Sequence, residues 1–509
     1  MVRGPLARKA SPIASLDGLD DARLPSRRPP QAVCPLSGPL ERFRPRLVRV
    51  ETMTDRDWLE IPGRLAVSLA ACALLSACAS GETQRIGAAA PDPHTAMSRI
   101  AESYVRLVLA VGEHSADYVD AYYGPAAWRD EVRDQVKGGT LGLTVIRDQA
   151  AGIIREMEAL ALPEGGGEEE EMTRLRHAYL LGQTRSLQAY AGMLLGDKHT
   201  FDEESRLLYD AVAPQNDEEH FRKILEQLET KLPGDGSIAQ RYERFHADFA
   251  IPRDKLDAVF QAAIAEARRR VAQRMQLPGD ESFEISYVTG KPWSGYNWYK
   301  GAGHSLIEIN VELPIYIDRA IDLACHEGYP GHHVYNALLE SSLVRKRGWV
   351  EFSVYPLFSP QSLIAEGSAN FGIDVVFTRP ERIAFEKEVL FPLAGLDPAR
   401  ADAYYEVHDL VSQLGYAGNE AARRYLDGAI DADAAAAWLI EFSLSSPERA
   451  RQRIGFFDKY RSYVINYNLG KDLVRAYIEG RGGTAQNAEM RWKEFERLLS
   501  SPRLPSGLR

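Results

Sequence analysis

Eight residues near the middle of the chain combine three imidazoles with one carboxylate, which are side chains that bind Zn²⁺. They read His326-Glu327-Gly328-Tyr329-Pro330-Gly331-His332-His333. In the common His-Glu-x-x-His motif, two histidines one helical turn apart bind one metal, and the glutamate acts on the adjacent water. Here Pro330-Gly331 adds two residues before the second histidine. The stretch is therefore a candidate metal site with altered spacing.

The two added residues decide which histidine can share a metal with His326. On an unbroken helix His332 would point away, because six residues advance about 600°. His333 would return to the same face but lie about 10.5 Å along the axis, too far for zinc bonds of about 2.1 Å. Pro330 should distort the helix, because its ring clashes with the carbonyl four residues back. We therefore expect His326 and His332 as ligands, with His333 as the alternative; an ordinary histidine-rich helix end is the competing interpretation.

A second carboxylate lies downstream in a stretch of small residues. Glu366 is flanked by Ala365, Gly367 and Ala369, a composition that suits a helix packed closely against another. A hydrolytic zinc centre needs a third protein ligand and an open position for water. We expect Glu366 to be that ligand and Asn370, on the same helical face, to hold a ligand imidazole. The alternative is a salt-bridged or helix-capping carboxylate.

These residues predict metal-assisted hydrolysis. Zinc lowers the pKa of its water to about 7, and Glu327 would accept the proton and later pass it to the leaving amine. The oxyanion formed on the way needs a donor. Tyr463 and Tyr467, four residues apart on one predicted helical face, are candidate catalytic donors, with Tyr416 and His408 as further candidates. A tyrosine-rich packed helix is the simpler alternative.

Residues 299–370 resemble a bacterial family. The matching segments are Ile307-Glu308-Ile309-Asn310, Leu313-Pro314, His326-Glu327 followed by Pro330-Gly331-His332-His333, and Ala365-Glu366-Gly367. They resemble the family called domain of unknown function 885, whose signature is His-Glu-x-x-Pro-Gly-His-His. The resemblance implies a zinc metallopeptidase-like hydrolase of the largely helical gluzincin kind, with no substrate specified.

The hydrophobic pattern predicts a mainly α fold. Apolar residues recur at intervals of three and four residues through much of 96–275, which predicts helices there. Helices are predicted again after Glu366. Between them, residues 283–288 and 305–310 predict a small β-hairpin with a long connection. An edge strand beside the metal helix can pair with a substrate backbone, and 305–310 is in position for this. We therefore predict a large helical zincin-like domain with a small β-hairpin or edge strand next to the metal helix.

The N-terminal region has the features of a bacterial lipoprotein precursor. Residues 1–52 are rich in proline and arginine, so we expect a disordered extension from a start codon assigned too far upstream, with Met53 as the true start. Residues 53–78 predict a signal peptide, because a short apolar run ends in Leu75-Ser76-Ala77-Cys78. Cys78 would carry the lipid. A short core helix is the alternative for the apolar run.

The rest of the chain is expected to form a tethered hydrolase. Residues 79–98 would be the tether, and residues 99–500 the helical metallohydrolase domain, with an active-site core near 283–375. Cys325 would then be the single cysteine of the mature chain, most simply a buried core residue. The whole sequence has a net charge of −11, and because residues 1–52 are net positive, the rest of the chain is more acidic still. This acidity argues against nucleic-acid binding.

Together these features predict a zinc-dependent metallopeptidase-like hydrolase of peptide or amide bonds. Lipid on Cys78 would anchor it in the bacterial cell envelope, on the periplasmic face of a membrane. One alternative is a catalytically inactive, lipid-anchored peptide-binding protein on the same fold, although Glu327 and the three expected ligands are all present. Another is a zinc hydrolase that acts on cell-wall amides.

Overall fold

The computed structural model describes residues 93–509. The expected extension 1–52, the signal peptide 53–78 and residues 79–92 of the expected tether lie outside the described residues. All described residues belong to one compact unit. Among them, no helix is both long enough and apolar enough to cross a membrane.

The first helix begins earlier than expected, at Pro93. Residues 93–98, which we assigned to the tether, are therefore helical. The helix starts there because Ala96 and Met97 are already buried in the protein. Burial of an apolar face, more than local propensity, decides where a helix of a globular protein becomes stable.

Helices form most of the described chain, which confirms the predicted mainly α class. The first group is α1 (Pro93–His114), α2 (Ala126–Lys137), α3 (Leu143–Glu158), α4 (Glu168–Leu194), α5 (Phe201–Tyr209), α6 (Glu218–Lys231), α7 (Ile238–Ala247) and α8 (Leu256–Ala272). The second group is α9 (Asp318–Leu323), α10 (His332–Leu339), α11 (Pro360–Val376), α12 (Arg379–Phe385), α13 (Phe391–Ala394), α14 (Ala401–Ser412), α15 (Ala417–Leu426), α16 (Ala432–Phe442), α17 (Pro447–Tyr460), α18 (Ile465–Gly480) and α19 (Ala488–Leu499).

Five short strands form two small sheets in the described part of the chain. They are β1 (Val119–Tyr122), β2 (Ser282–Val288), β3 (Gly295–Gly301), β4 (His304–Asn310) and β5 (Val354–Pro356). Strands β1 and β5 pair antiparallel. The other sheet has the order β2-β4-β3, with β4 parallel to β2 and antiparallel to β3.

The predicted hairpin is wrong in its pairing. Strands β2 and β4 lie side by side in parallel, and the connection between them contains β3, which forms the actual hairpin with β4. The expected edge strand, 305–310, is therefore the central strand, and its backbone is paired on both sides. Strand β3 forms because its aromatic residues Tyr296, Trp298 and Tyr299 favour extended backbone. The edge beside the histidine segment thus belongs to β3.

Helix α11, which carries Glu366, contributes to both hydrophobic clusters of the domain. Leu363 packs in the cluster built largely from α1, α3 to α6 and α15 to α17. Ile364 and Phe371 pack in the cluster built from α8 to α11 and α19. Because both sides of α11 are buried, this helix has little freedom to shift.

A contact between two glycines sets the distance from α11 to α18. A Cβ on Gly367 would lie 2.4 Å from the carbonyl group of Gly470, and a Cβ on Gly470 would lie 2.8 Å from the carbonyl oxygen of Leu363. Real Cβ atoms do not approach backbone this closely, so both positions require glycine. This confirms the expectation that the small residues around Glu366 mark a close helix packing.

We expect Gly367→Ala to destabilise the protein by about 1–3 kcal/mol, because the added methyl group must push α11 away from α18. Denaturant unfolding measures this change. The control is Gly455→Ala in α17, where a Cβ would meet no atom within 4 Å and stability should stay the same or rise by up to about 1 kcal/mol. Equal stability of Gly367→Ala and the wild-type protein would contradict the packing described here.

Candidate metal centre

The histidine segment is a helix that widens and then breaks. Helix α9 passes into one π-helical turn, Ala324–Gly328, which carries His326. The backbone leaves the helix at Tyr329 and returns to it in α10, which starts at His332. The Tyr329–Pro330 peptide bond is cis. This break between the two histidines is the distortion expected at Pro330.

Gly331 lets the chain turn back onto the widened helix. Its N–H donates to the carbonyl oxygen of Cys325 at 2.8 Å. A Cβ here would lie 1.8 Å from the carbonyl oxygen of His326, so this path requires glycine. As a result the rings of His326 and His332 come to 4.7 Å between centroids, with their planes at 88°.

The carboxylate of Glu366 meets both imidazoles. Its Oε2 lies 3.2 Å from Nε2 of His326 and 3.7 Å from Nε2 of His332. One ligand atom from each of the three residues lies within 4.8 Å of the others. Oε2 is buried, yet it accepts no hydrogen bond of acceptable geometry. Three potential ligand atoms that converge without bonding one another can surround a metal ion. These three residues are called the metal triad below.

The triad residues perturb one another's protonation. Burial would lower the pKa of His332, but the Glu366 carboxylate outweighs burial and raises this pKa to about 9. Burial would raise the pKa of Glu366, but the imidazoles of His326 and His332 hold it well below its usual range. The carboxylate is therefore charged, and a proton on His332 balances it when no metal is bound. A divalent cation could replace that proton.

Two tyrosines border the triad from the α18 side. The hydroxyl group of Tyr463 donates to Oε1 of Glu366 at 2.7 Å. Tyr467 lies beside it, with 5.8 Å between the ring centroids, and its hydroxyl has no hydrogen-bond partner within residues 93–509. Asn370, which we expected to hold an imidazole, instead donates to the carbonyl oxygen of Tyr467 at 3.4 Å.

Glu327 faces the same cavity, and neither oxygen of its carboxylate has a hydrogen bond among the described residues. The residue is buried, and its Oε2 has no hydrogen bond among the described residues. The Asn297 side chain donates to the backbone carbonyl of Glu327 at 2.8 Å. A Cβ on Gly295 would lie 2.9 Å from the other carboxylate oxygen, Oε1. Strand β3 therefore fixes the backbone of Glu327 and leaves space for its carboxylate.

A cavity of about 510 Å³ lies against the triad and Glu327. Its volume falls in the range of about 300–1,000 Å³ that is usual for small-molecule sites. Residues 294–297 at the start of β3 form one side. Residues of α17, of the turn after it and of the start of α18 form another: Arg449, Gln452, Arg453, Phe456, Tyr460, Tyr463 and Tyr467.

Two of the alternative candidates lie away from this cavity. His333 is fully buried, and its ring nitrogens meet Ser305 Oγ and Glu281 Oε2, each at 2.9 Å. Both nitrogens are occupied, so His333 is not placed to be the second ligand. Tyr416 donates to Asp472 at 2.7 Å and does not line the cavity.

His408 belongs to a second group of metal-ligating residue types, with Asp318 and Asp322. The hydroxyl of Tyr404 donates to Asp318 at 2.6 Å, and Arg382 pairs with Asp322 at 2.8 Å. The arginine already supplies the positive charge that these carboxylates need. This group therefore fits a buried ion network better than a metal site.

Sequence reasoning missed three residues that border the cavity. Gly295 and Asn297 contact Glu327, and their signal was the run of strand-forming aromatic residues around them. Asp120 on β1 accepts a hydrogen bond from Tyr296, and burial raises its pKa to about 6. Asp120 lies far from the histidines in the chain, and nothing in its neighbourhood signals a role. Cys325 is buried and unpaired, as expected.

No protein-family model matches this chain, and no curated protein matches it. Among solved structures, a Colwellia psychrerythraea protein provisionally described as a lipoprotein aligns with a TM-score of 0.46 and 13% identity, over 74% of this chain and 70% of that one. M32 carboxypeptidase from Deinococcus radiodurans aligns with a TM-score of 0.40 and 13% identity, over 81% and 91%. Pyrococcus furiosus carboxypeptidase gives 0.36 and 13%, over 81% and 92%. These likenesses are too distant to support a conclusion about function, and the resemblance to domain of unknown function 885 stays a prediction.

We expect the full chain to bind about one zinc ion through the triad. His326→Ala, His332→Ala and Glu366→Ala should each weaken zinc binding by more than about 100-fold, since even loss of an outer hydrogen-bond partner costs 10- to 100-fold. Elemental analysis and competition with a chelator measure this. His333→Gln is the matched control and should keep zinc. A triad variant that binds zinc as tightly as the wild-type protein would contradict the assignment.

Proposed function

We propose that this chain is a zinc-dependent hydrolase of peptide or amide bonds. The observation that carries the proposal is the convergence of the metal triad on a buried Glu366 oxygen without a hydrogen bond, beside the unbonded carboxylate of Glu327. No fourth His, Cys, Asp or Glu within residues 93–509 joins the triad. Three protein ligands with an open fourth position are typical of catalytic zinc sites, whereas structural sites have four.

Zinc held by the triad would supply Lewis-acid polarisation of the scissile carbonyl and would make water acidic enough to attack near neutral pH. In the proposed mechanism, the carboxylate of Glu327 accepts the proton of the attacking water. The same carboxyl group then gives a proton to the leaving amine nitrogen. The carboxylate is free for this role, because neither of its oxygens has a hydrogen bond in the described chain.

The two tyrosines are proposed to have different roles. Tyr463 already donates to Glu366, so we assign it to hold this carboxylate in the orientation that the metal requires. Tyr467 has a free hydroxyl and lines the cavity. It is therefore the better candidate to donate to the oxyanion as the tetrahedral intermediate forms.

Strand β3 is the proposed guide for the substrate backbone. Residues 294–297 border the cavity, and β3 pairs with a strand on one side only. An extended peptide could add to its other edge through backbone hydrogen bonds. The side chain of Tyr296 and the nearby ring of Trp293, 5.4 Å apart between centroids, would then contact the substrate side chains.

We also propose that the chain is a member of the domain of unknown function 885 family and a lipoprotein. The His-Glu-x-x-Pro-Gly-His-His signature and the Leu75-Ser76-Ala77-Cys78 segment support these assignments. Lipid on Cys78 would place the hydrolase at the periplasmic face of a bacterial membrane. Metabolic labelling with a radioactive fatty acid tests this directly: label should enter the wild-type chain and be absent from Cys78→Ser.

Glu327→Gln tests the hydrolytic mechanism. We expect hydrolysis of peptides in a casein digest, followed by mass spectrometry, to fall by about 100- to 10,000-fold, because the amide cannot accept the proton. Zinc content should not change. Glu308→Gln is the control, since Glu308 lies on β4 outside the cavity and its partner Trp298 Nε1 can donate equally to an amide oxygen. A zinc-loaded wild-type chain that hydrolyses nothing would favour the inactive binding protein instead.

Gly295→Ala tests whether β3 positions Glu327. The new Cβ would lie 2.9 Å from Oε1 of Glu327 and 2.8 Å from Leu323, so the carboxylate must move. We expect kcat to fall by about 10- to 100-fold, because a displacement of about 1 Å can have that effect, while zinc content stays the same. Gly279→Ala, where a Cβ meets no atom within 4 Å, should have wild-type kcat. An unchanged kcat in Gly295→Ala would show that Glu327 does not act from the position described.

A further inference from the structure

Helix α17 turns one face towards the cavity, and that face carries an arginine without an anionic partner. The face consists of Arg449, Gln452, Arg453, Phe456 and Tyr460. The three- and four-residue intervals among them place these side chains on one side of the helix. The guanidinium group of Arg453 lies over aromatic rings, 4.6 Å from the centre of Phe456 and 6.0 Å from the centre of Tyr467. Within residues 93–509 it makes no hydrogen bond and no ion pair.

The other arginines that line the cavity are already occupied. Arg319 pairs with Asp322 at 3.3 Å. Arg449 donates to the carbonyl oxygen of Pro314 at 2.7 Å. Arg453 is therefore the arginine of this cavity whose five N–H donors stay free in the described chain.

Arg453 lies close to the groups assigned to the chemistry. Tyr467 is in contact with the Arg453 guanidinium on one side and with Tyr463 on the other. Tyr463 in turn donates to Glu366 of the triad. A ligand group bound by Arg453 would thus lie two aromatic side chains, Tyr467 and Tyr463, from Glu366 of the triad.

We propose that Arg453 binds a carboxylate of the substrate, so that the preferred substrates are short peptides with a carboxylate near the scissile bond. A planar guanidinium group with free N–H donors can bind a carboxylate through two parallel hydrogen bonds. Burial lowers the pKa of Arg453 because no anion compensates for lost hydration, and a bound carboxylate would supply that compensation. This inference rests on the hydrolase function proposed above.

The carboxylate has two chemical sources. It is the α-carboxylate of the C-terminal residue if the enzyme removes residues from the C-terminus, or an Asp or Glu side chain if it cleaves beside acidic residues. A third explanation gives Arg453 no ligand at all, because stacking on Phe456 and Tyr467 can stabilise an arginine by itself. Binding experiments distinguish these cases.

The test uses the full chain with Glu327→Gln, loaded with zinc, so that ligands bind without turnover. Calorimetry compares benzoylglycylphenylalanine, its C-terminal amide, and benzoylglycylglutamate α-amide, whose carboxylate is on the side chain. One of the two carboxylates should bind at least about 10-fold more tightly than the neutral amide, since a hydrogen bond to a charged group contributes about 1.5–3 kcal/mol. The tighter of the two identifies the source.

In the Glu327→Gln background, Arg453→Met should remove this preference for a carboxylate. Arg453→Lys keeps the positive charge but loses the two parallel N–H donors of the guanidinium group, so it should retain part of the preference. Arg449→Met is the matched control on the same helix face and should keep the full preference. Equal binding of all three ligands, or a preference that survives Arg453→Met in folded protein, would overturn the proposal. Because turnover is not measured, a failure of the hydrolase function would appear separately, in the comparison of Glu327→Gln with the wild-type chain.

Discussion

The site depends on a buried carboxylate that needs a positive charge. Glu366 lies on a helix whose two sides are both packed, and its Oε2 faces two imidazoles without a hydrogen bond. An uncompensated buried carboxylate would cost several kcal/mol. A proton on His332 offsets that cost without metal, and a divalent cation would do so when bound. The same need explains why Tyr463 donates to the other oxygen of this carboxylate.

Glycines at close contacts make this arrangement possible. Gly331 lets the chain return from the widened helix so that His332 meets His326. Gly367 and Gly470 allow α11 and α18 to approach closely, so that Tyr463, in the turn just before α18, reaches Glu366. Gly295 leaves space for the carboxylate of Glu327. Each contact brings backbone against backbone or side chain at a distance that a methyl group would not permit.

Features with a local cause could be predicted from the sequence. The break at Pro330 follows from the clash of its ring with the preceding turn, and it led to the pairing of His326 with His332. The small residues around Glu366 indicated a close helix contact, which the structure contains. Helical periodicity gave the mainly α class, because burial of one face determines most helices of this size.

Features that depend on long-range pairing could not be predicted. Alternating apolar residues fit parallel and antiparallel strands equally well, so the pattern could not show that β2 and β4 are parallel or that β3 is the edge strand. Asp120 and Arg453 reach the cavity from elements distant in sequence. Their isolated positions carry no spacing signal, and His333 looked equivalent to His332 until its partners Ser305 and Glu281 were located.

X-ray absorption at the zinc edge of the full chain tests the central claim most directly. The account predicts zinc with two imidazole nitrogens at about 2.0–2.1 Å, one carboxylate oxygen at about 2.0–2.2 Å and a further light-atom ligand from solvent. Loss of one imidazole signal in His332→Ala, with no change in His333→Gln, would identify the second histidine. A sulfur ligand at about 2.3 Å, which would bring in Cys325, or a protein that retains no zinc would contradict the account.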